Sequence, residues 1–460
     1  MTSDHDTIIA PATAPGGAIA LIRISGPEAL VLCDRIFRGR APLAGAAGYT
    51  VHYGTIVEQP PHAEADAAPR LVDDVLATVF RAPHSYTGED SVEISCHGSS
   101  YIVSEILRLL TVAGGRMATP GEFTLRAYLA GKLDLAQAEA VGDLIAASSR
   151  AAHALASNQM RGGYSSALEA LREQLLHLTA LLELELDFSE EDVEFADRGA
   201  LRRTMEEIGA EIDRLRDSFA LGNAIKEGVP VAITGAPNVG KSTLLNRLLG
   251  EERALVSEIA GTTRDVIEEC INIDGVLFRF LDTAGIRATD DRLEQMGIER
   301  TMESIRRARI VIRMIDAEAL TAGRPELPEP ELRADQTLLT VVNKLDLHPN
   351  AALPAGAIGL SAKRGEGIDT LRRALRDAIP TDELYQGSTV VSNSRHHAAL
   401  AEAHASLARA IEALDAGLPT DLLSEEIRQV IDRLGSITGR GTISAPEVLE
   451  HIFSNFCIGK

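Results

Sequence analysis

Apolar runs at 18–24, 49–57, 71–80 and 91–96 are rich in Val, Ile and Leu and are bounded by Gly, Pro and polar residues, the pattern of β-strands. Stretches 28–36 and 102–113 carry helical spacing instead, so residues 1–118 predict an α+β domain. The polar, Pro- and Ala-rich connection 59–69 reads as a hairpin loop. From about 120 the rhythm changes. Leu168, Leu171, Leu175, Leu178 and Leu182 recur three and four apart and make one apolar seam. The acidic segment 183–194 interrupts it; Ser189 with Asp192 makes a capping box for a new helix, and the charges read as a solvated surface rather than a metal site. Two further helical stripes follow much later, Leu400, Leu407, Ile411 and Leu414, then Leu423, Ile427, Val430 and Leu434. Between the helical halves, strand-like runs at 229–234, 276–281, 337–342 and 357–360 alternate with helical stretches, which predicts an open doubly wound sheet. Each helical half exposes an apolar face that needs a partner. The economical arrangement is one helical domain built from 119–220 and 380–460, with an α/β domain at 221–379 inserted into it.

The polar residues at the ends of those inserted strands carry chemistry. Gly235-Ala236-Pro237-Asn238-Val239-Gly240-Lys241-Ser242 follows a strand and precedes the helical stretch that opens with Thr243, the context a phosphate-binding loop requires. Its backbone N–H groups can close around phosphates, Lys241 can reach the β and γ oxygens, and Ser242 can offer its hydroxyl to Mg²⁺. Asp282-Thr283-Ala284-Gly285 ends the next run, where the carboxylate can hold Mg²⁺ through water and the Gly285 N–H can sense a γ-phosphate. Asn343-Lys344-Leu345-Asp346 ends another. A carboxylate there accepts two hydrogen bonds from guanine and would be left unpaired by adenine, which selects GTP. Ser361-Ala362-Lys363 then offers backbone to the guanine carbonyl.

The residue after Gly285 is Ile286, which can neither orient nor polarise a water. Asp290, Asp291 and Glu294 are the nearby carboxylates that could position the nucleophile, and spacing does not separate them. The transition state also needs a cation, and the amide oxygen of Asn238 could help hold a monovalent ion in the place of an arginine finger.

Composition changes the picture in three ways. The length of 460 residues suggests about three domains, and a 45% hydrophobic content is ample for packed cores. The formal net charge of −22 disfavours non-specific adsorption to a polyanion, and with 4% aromatics and no Trp a base-stacking platform is unexpected, so any nucleic-acid contact is local or shared with a more basic partner. Cys33, Cys96, Cys270 and Cys457 are too scattered for a metal motif or a disulfide framework, which favours a reducing cytoplasm. The acidic N-terminus argues against targeting, and no apolar run is long enough to span a membrane. The C-terminal Cys457-Ile458-Gly459-Lys460 is no prenylation box, because Gly459 is not aliphatic and Lys460 is an unusual last residue for one.

These nucleotide motifs, the Ile after Asp-Thr-Ala-Gly, and Ser257-Glu258-Ile259-Ala260-Gly261-Thr262-Thr263-Arg264-Asp265 together resemble the MnmE (TrmE) family of tRNA-uridine modification GTPases. So do Pro120-Gly121-Glu122-Phe123-Thr124, the run from Gly131-Lys132-Leu133-Asp134 to Ala140, and the terminal Phe456-Cys457-Ile458-Gly459-Lys460. The resemblance covers nearly the whole chain. It implies a multidomain protein with an N-terminal folate-binding-like α+β domain, a discontinuous α-helical domain and an inserted Ras-like G domain. It implies K⁺ held by Asn238, Ser257, Ile259 and Thr262, Mg²⁺ held by Ser242 and Thr263, and Glu294 positioning the water. Residues 257–263 thereby join the loop at 238–243, Asp282-Thr283-Ala284-Gly285, Asn343-Lys344-Leu345-Asp346 and Ser361-Ala362-Lys363 as GTP contacts. It further implies a homodimer whose N-terminal domains bind 5,10-methylene- or 5-formyl-tetrahydrofolate through Arg23, Glu93, Lys132 and Lys460. The partner it implies is MnmG (GidA), which carries FAD, in a heterotetramer or larger complex acting on tRNA. The segment Cys96-His97-Gly98-Ser99 departs from the family's Gly-His-Gly-Gly, and the loop at Pro15-Gly16-Gly17 is shortened, both in the folate region. Two other function classes share parts of this pattern: a ribosome-assembly GTPase, against which stand the absent basic appendage and the C-terminal run, and a self-sufficient folate enzyme regulated by GTP.

Overall fold

The structure is a computed structural model that describes residues 6–59, 69–187, 197–251, 269–281, 302–323, 330–380, 389–440, 449, 452–454, 456 and 459. It divides into two compact units, Met1–Gly142 with Thr438–Lys460, and Asp143–Ile437.

The first unit is built on a sheet of β1 (Ile8–Pro11), β2 (Ile19–Ser25), β3 (Phe37–Gly39), β4 (Thr50–Glu58), β5 (Arg70–Phe80), β6 (Ser91–His97) and β7 (Arg116–Met117) in the order β3-β4-β5-β6-β2-β1-β7. All neighbours are antiparallel except β1 and β7. α1 (Ala29–Ile36) and α2 (Ser100–Val112) close one face over Ile22, Ile24, Val75, Val79, Val92 and Ile94. β1, β3 and β7 escape sequence reading because they are two to four residues long, too short to show a period. β4 and β5 pair antiparallel across the 59–69 connection. α3 (Glu122–Leu129) and the start of α4 (Leu135–Ala146) complete the unit: Leu135, Ala138 and Tyr128 pack with Phe453 and Phe456. The compact division thus falls after Gly142 and at Thr438, inside the two segments, 119–220 and 380–460, that periodicity groups as helical. Leu125, Tyr128, Leu135 and Ala138 share one apolar cluster with Leu449, Ile452, Phe453 and Phe456.

In the second unit, α5 (Arg150–Met160), α6 (Gly163–Asp187), α7 (Arg198–Asp217) and α8 (Phe219–Glu227) precede an α/β layer, and α12 (Ser394–Asp415) and α13 (Thr420–Thr438) follow it. The five leucines of the α6 seam are all buried. α7 packs against α12, with Gly209 facing Leu407 and Arg202 paired to Asp415 at 2.8 Å. On α12 the buried stripe is Leu400, Ala403, Leu407 and Ala410, while Ile411 and Leu414 are half-buried, because small alanines let α7 approach closely. Leu423, Ile427, Val430 and Leu434 of α13 are buried as expected. α6 continues through Glu183 to Asp187, and Glu185 is no solvated charge: Arg198 and Thr420 Oγ1 hold its carboxylate. α7 is capped by Asp197, whose carboxylate accepts from the Gly199 N–H at 2.9 Å; the Ser189–Asp192 capping box lies outside the described residues.

The α/β layer consists of β8 (Val229–Gly235), β9 (Glu269–Ile273), β10 (Val276–Phe280), β11 (Ile310–Asp316), β12 (Thr337–Asn343) and β13 (Ile358–Gly359), with α9 (Lys241–Glu251), α10 (Ala317–Thr321) and α11 (Ile368–Asp377). The strand order is β13-β12-β11-β8-β10-β9, parallel except for the edge pair β9–β10. Alternation along β8 feeds two cores, Val229, Val231 and Ile233 toward α9 and α11, and Ala232 toward Leu281, Ile305 and Val311. The chain returns from this layer beside its point of entry. Val391 N donates to Ser218 Oγ at 3.0 Å, and Gln159 Nε2 donates to Val390 O at 3.1 Å and Ser392 Oγ at 3.2 Å. The α/β domain is therefore inserted into a helical scaffold made from both flanking segments, as the two unpartnered apolar faces require. No described helix is long and apolar enough to cross a membrane.

Candidate functional site: a nucleotide cleft at the strand ends

β8 lies in the middle of the parallel sheet, and its C-terminal end turns directly into α9. Open α/β sheets bind ligands at this edge, where loops leave on both sides. The turn needs unusual backbone. Gly235, Asn238 and Gly240 have φ of 150°, 59° and 103°. A Cβ on Gly240 would collide with the amide nitrogen of Asn343, so the loop can hug β12 only with glycine there. Asn238 and Thr243 are exposed, Val239 is buried beneath the loop, and Ser242 sits half-buried in the first turn of α9.

Lys241 is folded over the loop, its Nζ donating to Gly235 O at 2.8 Å and Ala236 O at 3.0 Å. Burial pushes its pKa below the ordinary lysine value. The ammonium is thus held over the loop carbonyls by contacts that an incoming phosphate, with full negative charge, would replace.

The guanine-reading segment is joined to this loop by one buried side chain. Asn343, 3% exposed, donates from Nδ2 to Val239 O at 2.7 Å and accepts from Ala362 N at Oδ1 at 2.9 Å. Besides the nucleotide contact expected of it, Asn343 ties the phosphate loop to the 361–363 loop. Lys344 adopts φ 68° and its Nζ pairs with Asp316 at 2.7 Å, at the end of β11. Leu345 N bonds Leu360 O at 3.3 Å. The carboxyl of Asp346 is kept below the usual carboxylate range, chiefly by a hydrogen bond from Ser361, with Arg364 3.7 Å away. It is ionised and placed beside Ser361, the polarity a guanine edge needs. Arg247, which sequence reading did not single out, reaches from α9 to Ala362 O at 3.3 Å and Lys363 O at 2.7 Å. An arginine one turn and a half into the helix of a phosphate loop carries no spacing signal, so only the fold reveals this brace.

Asp282, Thr283, Ala284, Gly285, Glu294 and the segment Ser257–Thr263 lie outside the described residues, as do Ile286, Asp290 and Asp291. Of the expected K⁺ set only Asn238 is described, and of the Mg²⁺ pair only Ser242.

The expected folate residues lie in the first unit. Arg23 and Glu93 face each other across β2 and β6. The guanidinium donates from Nε to Glu93 Oε1 at 2.9 Å and from Nη1 to Gly459 O at 3.2 Å, and lies 5.5 Å from the Tyr86 ring and 5.7 Å from that of Phe123. The side chains are 18% and 22% exposed, so this is a half-buried ion pair. A Cβ at Gly459 would strike Pro11 O, which explains a glycine next to the expected Lys460, itself outside the described residues. Lys132 is exposed beside Gly88. In the departing segment, His97 Nδ1 contacts Asp73 at 2.7 Å, and the thiol of Cys96 is buried and pushed up to about 11 by that burial.

A phosphate loop at the end of a central parallel strand, stitched to an ionised carboxylate that suits guanine, defines a P-loop GTPase. The comparisons narrow this class. The model of the GTP-binding protein TrmE N-terminus matches residues 7–132, and that of the MnmE helical domain matches 135–457. Curated proteins named tRNA modification GTPase MnmE are 48% identical over 100% of this chain and 99% of the protein from Cytophaga hutchinsonii, and 48% identical over 99% of this chain and all of the protein from Bacteroides fragilis. A solved structure of Era with MgGDPNP and part of 16S ribosomal RNA is 27% identical over 38% of this chain and 65% of that one, at a TM-score of 0.23 that bears no weight. The chain belongs to the MnmE (TrmE) family of tRNA modification GTPases.

Proposed function

We propose that this GTPase acts in tRNA modification, adding a carboxymethylaminomethyl or aminomethyl group at C5 of the wobble uridine together with an FAD-dependent partner of the MnmG type. The observation that carries the reading is the end-to-end match to tRNA modification GTPases in a chain whose phosphate loop and guanine-reading loop are joined through Asn343.

Within the reaction, Lys241 leaves the carbonyls of Gly235 and Ala236 for the β and γ oxygens, and Ser242, half-buried at the helix start, suits Mg²⁺. Thr263 joins it, and Glu294 positions the attacking water. Asn238, exposed on the loop at a left-handed φ, would offer its amide oxygen to K⁺, for which Ser257, Ile259 and Thr262 are the other proposed ligands. Bound there, the cation supplies the positive charge that offsets charge building on the phosphate oxygens. In the first unit, Glu93 suits the amino and N–H donors of a pterin, and Arg23, Lys132 and Lys460 suit the carboxylates of a tetrahydrofolate that supplies the carbon. The chain works as a homodimer in the cytoplasm, with the partner carrying most of the tRNA contact in keeping with the net charge of −22.

Hydrolysis measured in matched potassium and sodium buffers tests the catalytic part: activity falls steeply in sodium if K⁺ fills this role, and equal rates in both would reject it.

A further inference from the structure

Arg247 leaves α9 six residues after Lys241, about 9 Å further along the helix axis. The side chain is half-buried, and its guanidinium donates from Nε to Ala362 O at 3.3 Å and from Nη2 to Lys363 O at 2.7 Å. The helix that opens with Lys241 and Ser242 at the phosphate loop therefore also grips the loop expected to meet the guanine oxygen.

That loop is a closed turn. Ser361 N bonds Glu366 O at 2.9 Å, Gly365 N bonds Ser361 O at 2.8 Å and Arg364 N bonds Ser361 Oγ at 3.2 Å, so the turn moves as one piece. It is tied to β12 through Leu360 N to Val342 O at 2.9 Å and through Asn343 Oδ1 to Ala362 N at 2.9 Å. Arg247 adds a tie to α9 at two successive carbonyls. The peptide between Ala362 and Lys363 is trans, and in a trans peptide the C=O and N–H point in opposite directions. Holding Ala362 O toward α9 thus aims the Lys363 N–H away from the helix. That N–H makes no hydrogen bond among the described residues, which leaves it available to a ligand carbonyl.

The bond to Ala362 O is part-buried and that to Lys363 O is exposed, so without Arg247 both carbonyls can turn to water and the fold loses little. What is lost is the aim of a backbone donor that a 6-oxo purine uses and that a purine without the 6-oxygen does not.

We propose that Arg247 is a positioning residue for base recognition: it sets how strongly this GTPase reads the 6-oxygen of guanine, through the 361–363 backbone and separately from Asp346. The proposal rests on the reading of that loop as the contact to the guanine carbonyl.

The test uses the full chain and competition binding with GTP, with inosine triphosphate, which keeps the 6-oxygen and lacks the 2-amino group, and with 2-aminopurine riboside triphosphate, which keeps the amino group and lacks the oxygen. One well-aimed hydrogen bond is worth a factor of roughly 2 to 10 in affinity. Arg247→Ala is expected to weaken GTP and inosine triphosphate alike by that factor, to leave the 2-aminopurine nucleotide at its wild-type affinity, and to melt as the wild type does without nucleotide. Arg247→Lys, which can reach one carbonyl, recovers part of the loss. Equal weakening of all three nucleotides would overturn the proposal, making Arg247 a general support of the cleft. A wild-type preference for GTP over the 2-aminopurine nucleotide that persists undiminished in Arg247→Ala would also overturn it, and would leave the reading of the loop intact. Wild-type protein that binds those two nucleotides equally would instead remove the reading of the loop, and the proposal with it.

Discussion

Replacing Asn343 by Ala cuts the link between the two halves of the nucleotide cleft. It leaves Val239 O without its donor at 2.7 Å and Ala362 N without its acceptor at 2.9 Å, in a place where the native side chain is 3% exposed. An orphaned buried polar group costs about 1–3 kcal/mol, so two would cost ~2–6 kcal/mol if neither found water. The smaller alanine opens room for a water to serve one of them, which leaves a cost of about 1–3 kcal/mol. Nucleotide binding needs both loops in register, whereas the free protein can let them drift apart, so most of the cost falls on affinity. At ~1.4 kcal/mol per factor of ten, GTP affinity drops by roughly 5- to 150-fold. Titration with a fluorescent GTP analogue measures this, and a thermal melt without nucleotide separates it from general unfolding. Affinity within about twofold of wild type, with an unchanged melt, would refute the idea that Asn343 holds the cleft together.

Asp346→Asn is expected to weaken GTP and favour xanthosine triphosphate, read by competition binding, because the amide offers a donor where guanine presents one and xanthine presents an oxygen. In the first unit, burial works to raise Glu122 and Asp6, but hydrogen bonds from Arg116 and Arg126, and for Glu122 the Thr119 N–H, hold both below their ordinary values. Their contribution to stability is therefore complete above the usual carboxylate range near pH 4 and is lost as the pH falls through the depressed values. Acid unfolding followed by circular dichroism should show a less steep loss below about pH 4 in Glu122→Gln, from a lower starting stability; an identical acid limb would contradict the network's role.

The cleft was legible in sequence because its parts are local: a strand, two glycines, a lysine and a serine in one octet, and Asn343 to Asp346 in four residues. The inserted domain was legible for a different reason, since two apolar stripes separated by an α/β rhythm can only be satisfied by each other. What escaped was long-range. Asn343 bonds Val239 and Ala362, and Arg247 braces a loop more than a hundred residues away. Glu185 sits in an acidic run that predicts solvent exposure, yet Arg198 and Thr420 supply partners that no local window contains. The unit boundary at Gly142 escaped because Leu135 and Ala138 meet Phe453 and Phe456 only in the folded chain.

The GTPase cleft is proposed to serve chemistry at the wobble uridine. Mass spectrometry of nucleosides from tRNA of cells lacking this protein tests it most directly. Loss of the C5-modified wobble uridine with an unaltered ribosome profile is the expected result. Retention of that nucleoside at its normal level would contradict it.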